Sequence, residues 1–245
     1  MLELRKIDIT EQQIETLLIL VTEDDVNLYS DNILNKLAKE AKGYNEFNGE
    51  KNEELILYPK DNIKRLFFVG IGKMSDLKTE DFRNILGQTV GKMKKIRLSN
   101  LTVAIPDTNI SEIVREMYID AMMEGAFLAN YSFDKYKNEV KIKSLQKIIF
   151  IGSQKIAEKY RKLPKQIEHI CSAVCKARDW VSIPSNEKTP ELFSKMIIKE
   201  AEETDIRITL MEEKELRSKG FGALLAVGQG SSNSSCLMIM HYKPK

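Results

Sequence analysis

Two glycine-rich segments contain residue types that could bind phosphate, but their spacing fits turns better. Gly70-Ile71-Gly72-Lys73 follows an apolar run, yet it lacks the four residues that separate the first glycine of a P-loop from its Gly-Lys-Ser/Thr. Val227-Gly228-Gln229-Gly230-Ser231 has no third glycine where a dinucleotide-binding loop requires one, and no helix start follows it. We interpret both segments as turns or loops in which glycine permits positive φ or a close approach of two backbones.

His169 lies near Cys171 and Cys175 in the sequence, so a zinc site has to be considered there. On a helix Cys171 and Cys175 share a face, but His169 points about 200° away from Cys171. A structural zinc site needs four converging ligands, so we interpret these residues as structural. The third cysteine, Cys236, completes a sparse and odd set that is typical of reduced thiols in a cytosol.

The sequence lacks the usual motifs of enzymes that hydrolyse their substrates with a nucleophilic side chain or a metal ion. A serine or cysteine nucleophile needs a base, and the histidines of the chain are His169 and His241. Neither a Gly-x-Ser-x-Gly elbow nor a His-Glu-x-x-His helix occurs. The basic cluster of Lys92, Lys94, Lys95 and Arg97 is interpreted as the solvated face and C-terminal charge of a helix. The sequence therefore predicts no catalytic, cofactor-binding or metal-ligating residue.

The composition is typical of a globular protein and argues against nucleic acid and anionic membranes as partners. The 245 residues are 42% hydrophobic and 30% charged, with a net charge of +2 and interleaved signs. That balance gives no electrostatic case for nucleic acid or for an anionic membrane. No apolar run approaches the ~18 residues of a membrane span, and the first residues carry charges where a signal peptide needs an apolar core. We expect a cytoplasmic location.

The first part of the chain alternates short apolar runs with helical patterns. Such runs, bounded by Gly, Pro or charge, are typical of strands buried on both faces of a sheet. The predicted strands are an edge strand at 4–9 and strands at 16–21, 55–58, 66–70, 101–105 and 148–152. Helices are predicted at 31–42, 79–96 and 111–128, with Thr79 and Ser111 as N-caps. This order predicts an α/β fold with helices on both faces of a mostly parallel mixed sheet. The polar segment 131–147 is interpreted as a surface connection with room for one outer strand.

The second part has a different pattern. A short helix at 154–161 is broken by Leu163-Pro164, and an amphipathic helix follows at 165–181. Thr189-Pro190 is a helix start, with Thr189 as cap and Pro190 in the first turn. The remaining predictions are that helix to 204, a strand at 206–210, a helix at 212–218 ended by Gly220, a tightly packed apolar segment at 222–228 and a strand at 235–242.

Four elements of the second part occur in a specific order: Ala177-Arg178-Asp179, Pro184-Ser185-Asn186, Thr189-Pro190 and the segment 222–231. Together they resemble the leucine (cytosol) aminopeptidases, the two-metal family that removes N-terminal residues from peptides. The preceding α/β domain resembles the three-layer, macro-like N-terminal domain of that family. Trp180, Ser182 and Ile183 depart from the family pattern and are interpreted as packing variants.

The resemblance implies a macro-like domain at 1–160, a linking helix at 161–181 and an incomplete metallo-aminopeptidase catalytic domain at 182–245. Arg178 and Asp179 would then hold the linking helix against the catalytic sheet, and Gly228 and Gly230 would allow a close crossing of the chain. The family binds two divalent ions, manganese or zinc, through a lysine and carboxylates in segments that follow the strand at 235–242. Its Lys-Gly-x-Thr-x-Asp-Ser-Gly-Gly and Asn-Thr-Asp-Ala-Glu-Gly-Arg stretches do not occur in this sequence.

We therefore expect these residues to bind no cofactor themselves and to be inactive as a truncated aminopeptidase, because paired ions are what activate water in two-metal hydrolysis. The intact family acts on peptides and forms homohexamers. The alternative is a macro-like module for ligand binding, DNA binding or assembly, without peptidase activity. The sequence shows neither a diagnostic nucleotide-binding loop nor a dominant basic face, and both observations argue against this alternative.

Overall fold

The chain forms two compact units, Met1–Arg178 and Asp179–Lys245. A computed structural model describes residues 1–6, 9–25, 27–59, 62–107, 111–202 and 204–243. The predicted α/β class is confirmed, since the first unit is built on a six-stranded, mostly parallel sheet and the second on a two-stranded sheet with helices. In the part of the chain that the structure describes, no helix combines the length and apolarity needed to cross a membrane.

The six-stranded sheet confirms the predicted strands with bounds shifted by a few residues, although positions 7 and 8 of the edge strand predicted at 4–9 lie outside the described residues. Its strands are β1 (Leu2–Arg5), β2 (Leu17–Thr22), β3 (Glu54–Leu57), β4 (Leu66–Gly72), β5 (Asn100–Ala104) and β6 (Lys147–Ile151). The order is β1-β6-β5-β2-β4-β3, and only β3 runs antiparallel to its neighbour. Segment 131–147, which the structure describes throughout, forms no outer strand before β6 begins.

Burial differs between the central and edge strands. Every residue of β2 and β4 is buried, as their continuous apolar runs predict. Edge strand β3 instead alternates exposed and half-buried residues, so its predicted burial on both faces is wrong. An antiparallel edge strand can keep one face in water, and Ile56 is accordingly 40% exposed.

The helices of the first unit are α1 (Asn32–Ala41), α2 (Thr79–Lys95), α3 (Glu112–Asn130), α4 (Gln154–Lys159) and α5 (Leu163–Ser182), with a single 3-10 turn at Met74–Asp76. Asp31 caps α1, and Ser111 caps α3 as predicted. The prediction for Thr79 is wrong, because Lys78 is the N-cap and its N–H donates to Asp81 Oδ2 at 2.9 Å. Helices α2 and α3 pack against each other, and with this strand order the right-handed rule for parallel crossovers predicts them on one face of the sheet and α1 on the other.

Helix α5 differs from the amphipathic helix predicted at 165–181. Pro164 stands in its first turn, where a proline has no N–H bond to lose. Ile167 and Cys171 of the predicted apolar stripe are buried, whereas Ile170 is 58% and Val174 40% exposed. The stripe therefore packs only along the first half of the helix.

The second unit contains α6 (Pro190–Ala201), β7 (Ile206–Glu212), α7 (Glu213–Ser218), α8 (Gly222–Gly228) and β8 (Cys236–Tyr242), with a 3-10 turn at Ser185–Glu187. Strands β7 and β8 pair antiparallel from Ile206↔Tyr242 to Glu212↔Cys236. Gly220 ends α7 with φ +77, as predicted. The tight packing predicted for 222–228 is wrong: this segment is the short helix α8, and its Val227 is 90% exposed.

Candidate functional site

A crevice opens at the carboxyl edge of the six-stranded sheet, where β2 and β5 separate. These strands pair only at Leu17↔Thr102 and Leu18↔Val103. Beyond that point the hydroxyl of Tyr29 both accepts from Leu20 N and donates to Leu20 O, each at 2.9 Å. Burial raises the pKa of Tyr29, so the hydroxyl keeps its proton and serves as donor and acceptor together. The side chain thus replaces a missing strand neighbour.

A cavity of about 220 Å³ lies in this crevice, lined by residues that follow β1, β2, β5 and β6. Ligands of open α/β sheets bind at this kind of switch point, where successive crossovers leave in opposite directions. The polar groups here bind one another: Asp107 accepts from Ser30 N at 2.5 Å and from Ser30 Oγ at 2.6 Å, and Arg115 donates to Asp107 O at 2.8 Å. The geometry suits a binding crevice, and among its described lining residues no nucleophile contacts a histidine base.

The glycines of the two segments differ in their roles. Gly70 and Gly72 belong to strand β4, so the interpretation of this segment as a turn is wrong. A Cβ at Gly70 would overlap the carbonyl oxygen of Glu50, and Gly72 has φ +78, so the expected need for glycine is confirmed. A Cβ at Gly228 would overlap Ser235 Oγ, which confirms a close approach there, although to a side chain. The close crossing predicted at Gly230 is wrong, since nothing lies within 4 Å of a Cβ built there.

The cysteine and histidine residues of α5 do not converge. Cys171 is buried, and burial, with the negative charge of Glu124, raises the pKa of its thiol to about 11. Cys175 is half-buried and His169 is exposed. Within the described ranges, no three His, Cys, Asp or Glu side chains come together as metal ligands. These residues therefore do not fit the paired ions that the aminopeptidase resemblance implies.

Arg178 of the Ala177-Arg178-Asp179 motif binds the first unit. Its guanidinium donates to the carbonyl of Leu128 at 2.9 Å, near the end of α3, and lies 5.6 Å from the ring centroid of Tyr131. A cation at this position satisfies a carbonyl that has no partner in the last helical turn. The structure thus corrects the prediction that Arg178 holds α5 against the catalytic sheet: Arg178 ties α5 to α3.

Replacing Arg178 with alanine should lower the free energy of unfolding by about 1 kcal/mol, because one charge-assisted bond to a helix carbonyl and one ring contact are lost. Urea unfolding followed by far-ultraviolet circular dichroism measures the effect. Arg161→Ala is the matched control at an exposed position, and we expect it to change stability by less than about 0.5 kcal/mol. Equal effects of the two substitutions would contradict the role given to Arg178.

The motif residues of the second unit organise the start of α6. Thr189 accepts from Leu192 N at 3.4 Å and Pro190 occupies the first turn, which confirms the predicted helix start. Trp180 packs edge-on against Phe193, with ring centroids 5.5 Å apart. Sequence reasoning missed Lys188, whose Nζ donates to Trp180 O at 2.5 Å and to Val181 O at 3.4 Å. These carbonyls lie in the last turn of α5. A lysine shortly after a predicted helix end was the sequence signal that could have indicated this contact.

Two domains of one family match the chain in sequence order. The N-terminal domain of the cytosol aminopeptidase family matches residues 20–139, and the catalytic domain of that family matches residues 175–245. A probable cytosol aminopeptidase of Clostridium perfringens is 29% identical over 93% of this chain and 47% of its own length. A probable cytosol aminopeptidase of Rickettsia rickettsii is 31% identical over 74% of this chain and 36% of its own length. The chain spans less than half the length of either relative.

Solved structures have the same fold. A mutant of tomato leucine aminopeptidase aligns with a TM-score of 0.80 at 21% identity, covering 98% of this chain and 50% of that one. The bottromycin maturation enzyme BotP in complex with Mn aligns with a TM-score of 0.70 at 19% identity, covering 94% of this chain and 45% of that one. The consecutive matches to both domains, with curated relatives along most of the sequence, establish that the chain belongs to the cytosol aminopeptidase family.

Proposed function

We propose that residues 1–245 are the N-terminal domain and the first part of the catalytic domain of a leucyl aminopeptidase-like protein, which releases N-terminal amino acids from peptides with divalent metal. The observation that carries the proposal is the order of the two family matches, 20–139 and then 175–245. The intact protein would be a cytoplasmic homo-oligomer, as the hexameric family resemblance implies. The rival macro-like binding module is not favoured by any of the relatives above.

We further propose that residues 1–245 have no peptidase activity on their own. Family members hold two manganese or zinc ions, which lower the pKa of bridging water and neutralise charge that develops in the reaction. The donor set of the described residues does not fit such a centre, because no three potential ligands converge. The contribution of this chain is then structural: Lys188 and Thr189 fix the path into α6, and Arg178 fixes α5 on α3.

The proposal is tested with leucine p-nitroanilide and purified residues 1–245 in the presence of added Mn²⁺. We expect hydrolysis equal to the Mn²⁺ blank and less than stoichiometric metal after gel filtration. Turnover that co-elutes with the protein, together with tightly bound Mn²⁺ or Zn²⁺, would show that these residues contain a complete centre.

The family activity itself is tested separately with a chimera. Residues 1–245 are joined to the part of the Clostridium perfringens relative that lies beyond its alignment with this chain. We expect the chimera to release leucine in a metal-dependent way, and the added part alone to be inactive. A folded, metal-loaded chimera without activity would contradict the assignment of residues 1–245 to an aminopeptidase.

A further inference from the structure

The amino edge of the six-stranded sheet carries a second cavity, at the opposite end from the crevice near Tyr29. Its volume is about 580 Å³, within the range of roughly 300–1,000 Å³ that small-molecule sites occupy. It lies between the turn that follows α2 and the polar segment that precedes β6. Two chain segments distant in sequence therefore form its walls.

The lining of this cavity is strongly cationic. Arg97 comes from the turn after α2, and Lys141 and Lys143 come from the facing segment, whereas Glu139 is the one acidic residue among the lining residues. Within the described ranges none of the three cations has a carboxylate within 4.0 Å. Three positive charges against one negative charge leave these lining residues with a net charge of +2, which favours a negatively charged ligand.

Hydrogen-bonding groups accompany these charges. The hydroxyls of Ser99 and Ser144 and the carboxamide of Gln146 also line the cavity. The carboxylate of Glu15 is held beside the cavity, because it accepts from the backbone N–H of the lining residue Ser99 at 3.4 Å and from that of Asn100 at 2.7 Å. Guanidinium, ammonium and hydroxyl groups together are the donors that phosphate and carboxylate oxygens use.

Arg97 has a backbone conformation that is unfavourable for a residue with a side chain. Its φ is 62°, in the left-handed region, where it ends α2 as a Schellman motif. The motif is complete, with Leu98 N donating to Met93 O at 3.1 Å and Arg97 N donating to Lys94 O at 3.0 Å. Glycine is the residue that fits this position without a Cβ penalty. The arginine therefore costs stability at a position that lines the cavity, which motivates the hypothesis that its side chain has a function there.

An adjoining cavity extends the cationic surface. It has a volume of about 470 Å³, shares Lys141 and Glu139 with the first cavity and adds Lys95, Lys137 and Asp134. Lys137 is already paired with Asp134 at 2.7 Å, so the unpaired charge remains concentrated around Arg97 and Lys141.

We propose that the cavity formed by Arg97, Lys141 and Lys143 binds a small multivalent anion that carries phosphate or carboxylate groups. The site is separate from the peptidase function, and its test does not depend on turnover. Arg97 contacts the anion through its guanidinium, while Lys141 and Lys143 supply charge from the opposite wall.

Isothermal titration of residues 1–245 with inorganic pyrophosphate and with citrate tests the site and distinguishes the two ligand classes. We expect binding of one or both anions that weakens as salt is added. Arg97→Gly should weaken it about ten-fold or more, since a charge-assisted contact of this kind is lost. Lys39→Gln, an exposed lysine on α1, is the matched control and should bind like the wild type.

The melting temperature provides a second readout, in which the rise caused by the anion separates a binding role of Arg97 from strain alone. Arg97→Gly should raise the melting temperature without ligand and abolish most of the further rise caused by the bound anion. No binding at millimolar pyrophosphate and citrate would overturn the proposal. Unchanged affinity in Arg97→Gly, or a lower melting temperature of that variant without ligand, would also overturn it.

Discussion

Replacing Gly125 with alanine should lower the free energy of unfolding of the first unit by about 3 kcal/mol, the range expected for an overpacked interface. Gly125 lies where α3 crosses α2, and a Cβ there would overlap the carbonyl oxygen of Arg83 and lie 2.9 Å from its carbonyl carbon. The obstacle is backbone, so no side-chain rotation relieves it. The two helices would have to separate, which also stretches the ion pair of Arg83 and Glu124 at 2.6 Å.

Gly91 on α2 provides the matched control for this substitution. A Cβ at Gly91 meets nothing within 4 Å, so Gly91→Ala should stabilise the protein by about 0.5–1 kcal/mol through helix propensity. Urea unfolding of both variants, followed by circular dichroism at a helix-sensitive wavelength, gives the two free energies. Stabilisation by both substitutions would show that α2 and α3 do not approach each other at Gly125.

The opposite signs expected at Gly125 and Gly91 illustrate what the sequence can predict. Both glycines lie in segments whose periodicity predicts a helix, and both helices form. Periodicity states which residues share a face, but it does not state how near the next backbone will come. The distance between α2 and α3 depends on the whole sheet beneath them, so one glycine is required and the other is replaceable.

Strands could be predicted where the apolar run is continuous. β2 and β4 are buried along their whole length because both faces of a central parallel strand are covered by helices. The separation of β2 from β5 could not be predicted, since it is compensated by the hydroxyl of Tyr29, nine residues beyond the backbone of Leu20 that it binds. A tyrosine in a loop carries no local signal of such a contact.

Family membership could be predicted from the ordered motifs of the second half, whereas the contacts of those motifs could not. Arg178 finds its acceptor at Leu128, fifty positions earlier in the chain. The cavity around Arg97 likewise joins segments separated by about forty residues, so the sequence placed Arg97 in a helical cluster and gave no sign of its proximity to Lys141 and Lys143. Charges distant in sequence become a site only through the fold.

The interpretation of the whole basic cluster as solvated is wrong for one member, Lys94, which is 6% exposed. Its Nζ donates to Ala129 O at 3.2 Å, Asn130 O at 3.1 Å, Tyr131 O at 3.0 Å and Ser132 Oγ at 3.2 Å. These acceptors are the end of α3, where carbonyls lack helical partners and the helix dipole is negative. Lys94 is thus the cap that joins α2 to the end of α3.

Replacing Lys94 with methionine should lower the free energy of unfolding by about 2–3 kcal/mol, because the part-buried carbonyls of Ala129 and Tyr131 lose this donor while the side-chain volume is kept. The carbonyl of Asn130 keeps the hydroxyl of Ser144 as a donor. Lys95→Met is the matched control on the exposed side of α2, where we expect a change below about 0.5 kcal/mol. Urea unfolding at neutral pH measures both. A similar small effect at the two positions would mean that water, and not Lys94, satisfies the end of α3.

The effect of Lys94→Met should also depend on pH, and the sign follows from burial. Removal from water lowers the pKa of the Lys94 ammonium, so the folded chain binds this proton less tightly than the unfolded chain. Stability contributed by this group therefore rises as pH increases through the folded-state pKa. The difference in unfolding free energy between wild type and Lys94→Met should be larger at alkaline pH than at neutral pH. If this free-energy difference is smaller at alkaline pH, the oxygen acceptors around Lys94 Nζ stabilise the ammonium more than burial destabilises it.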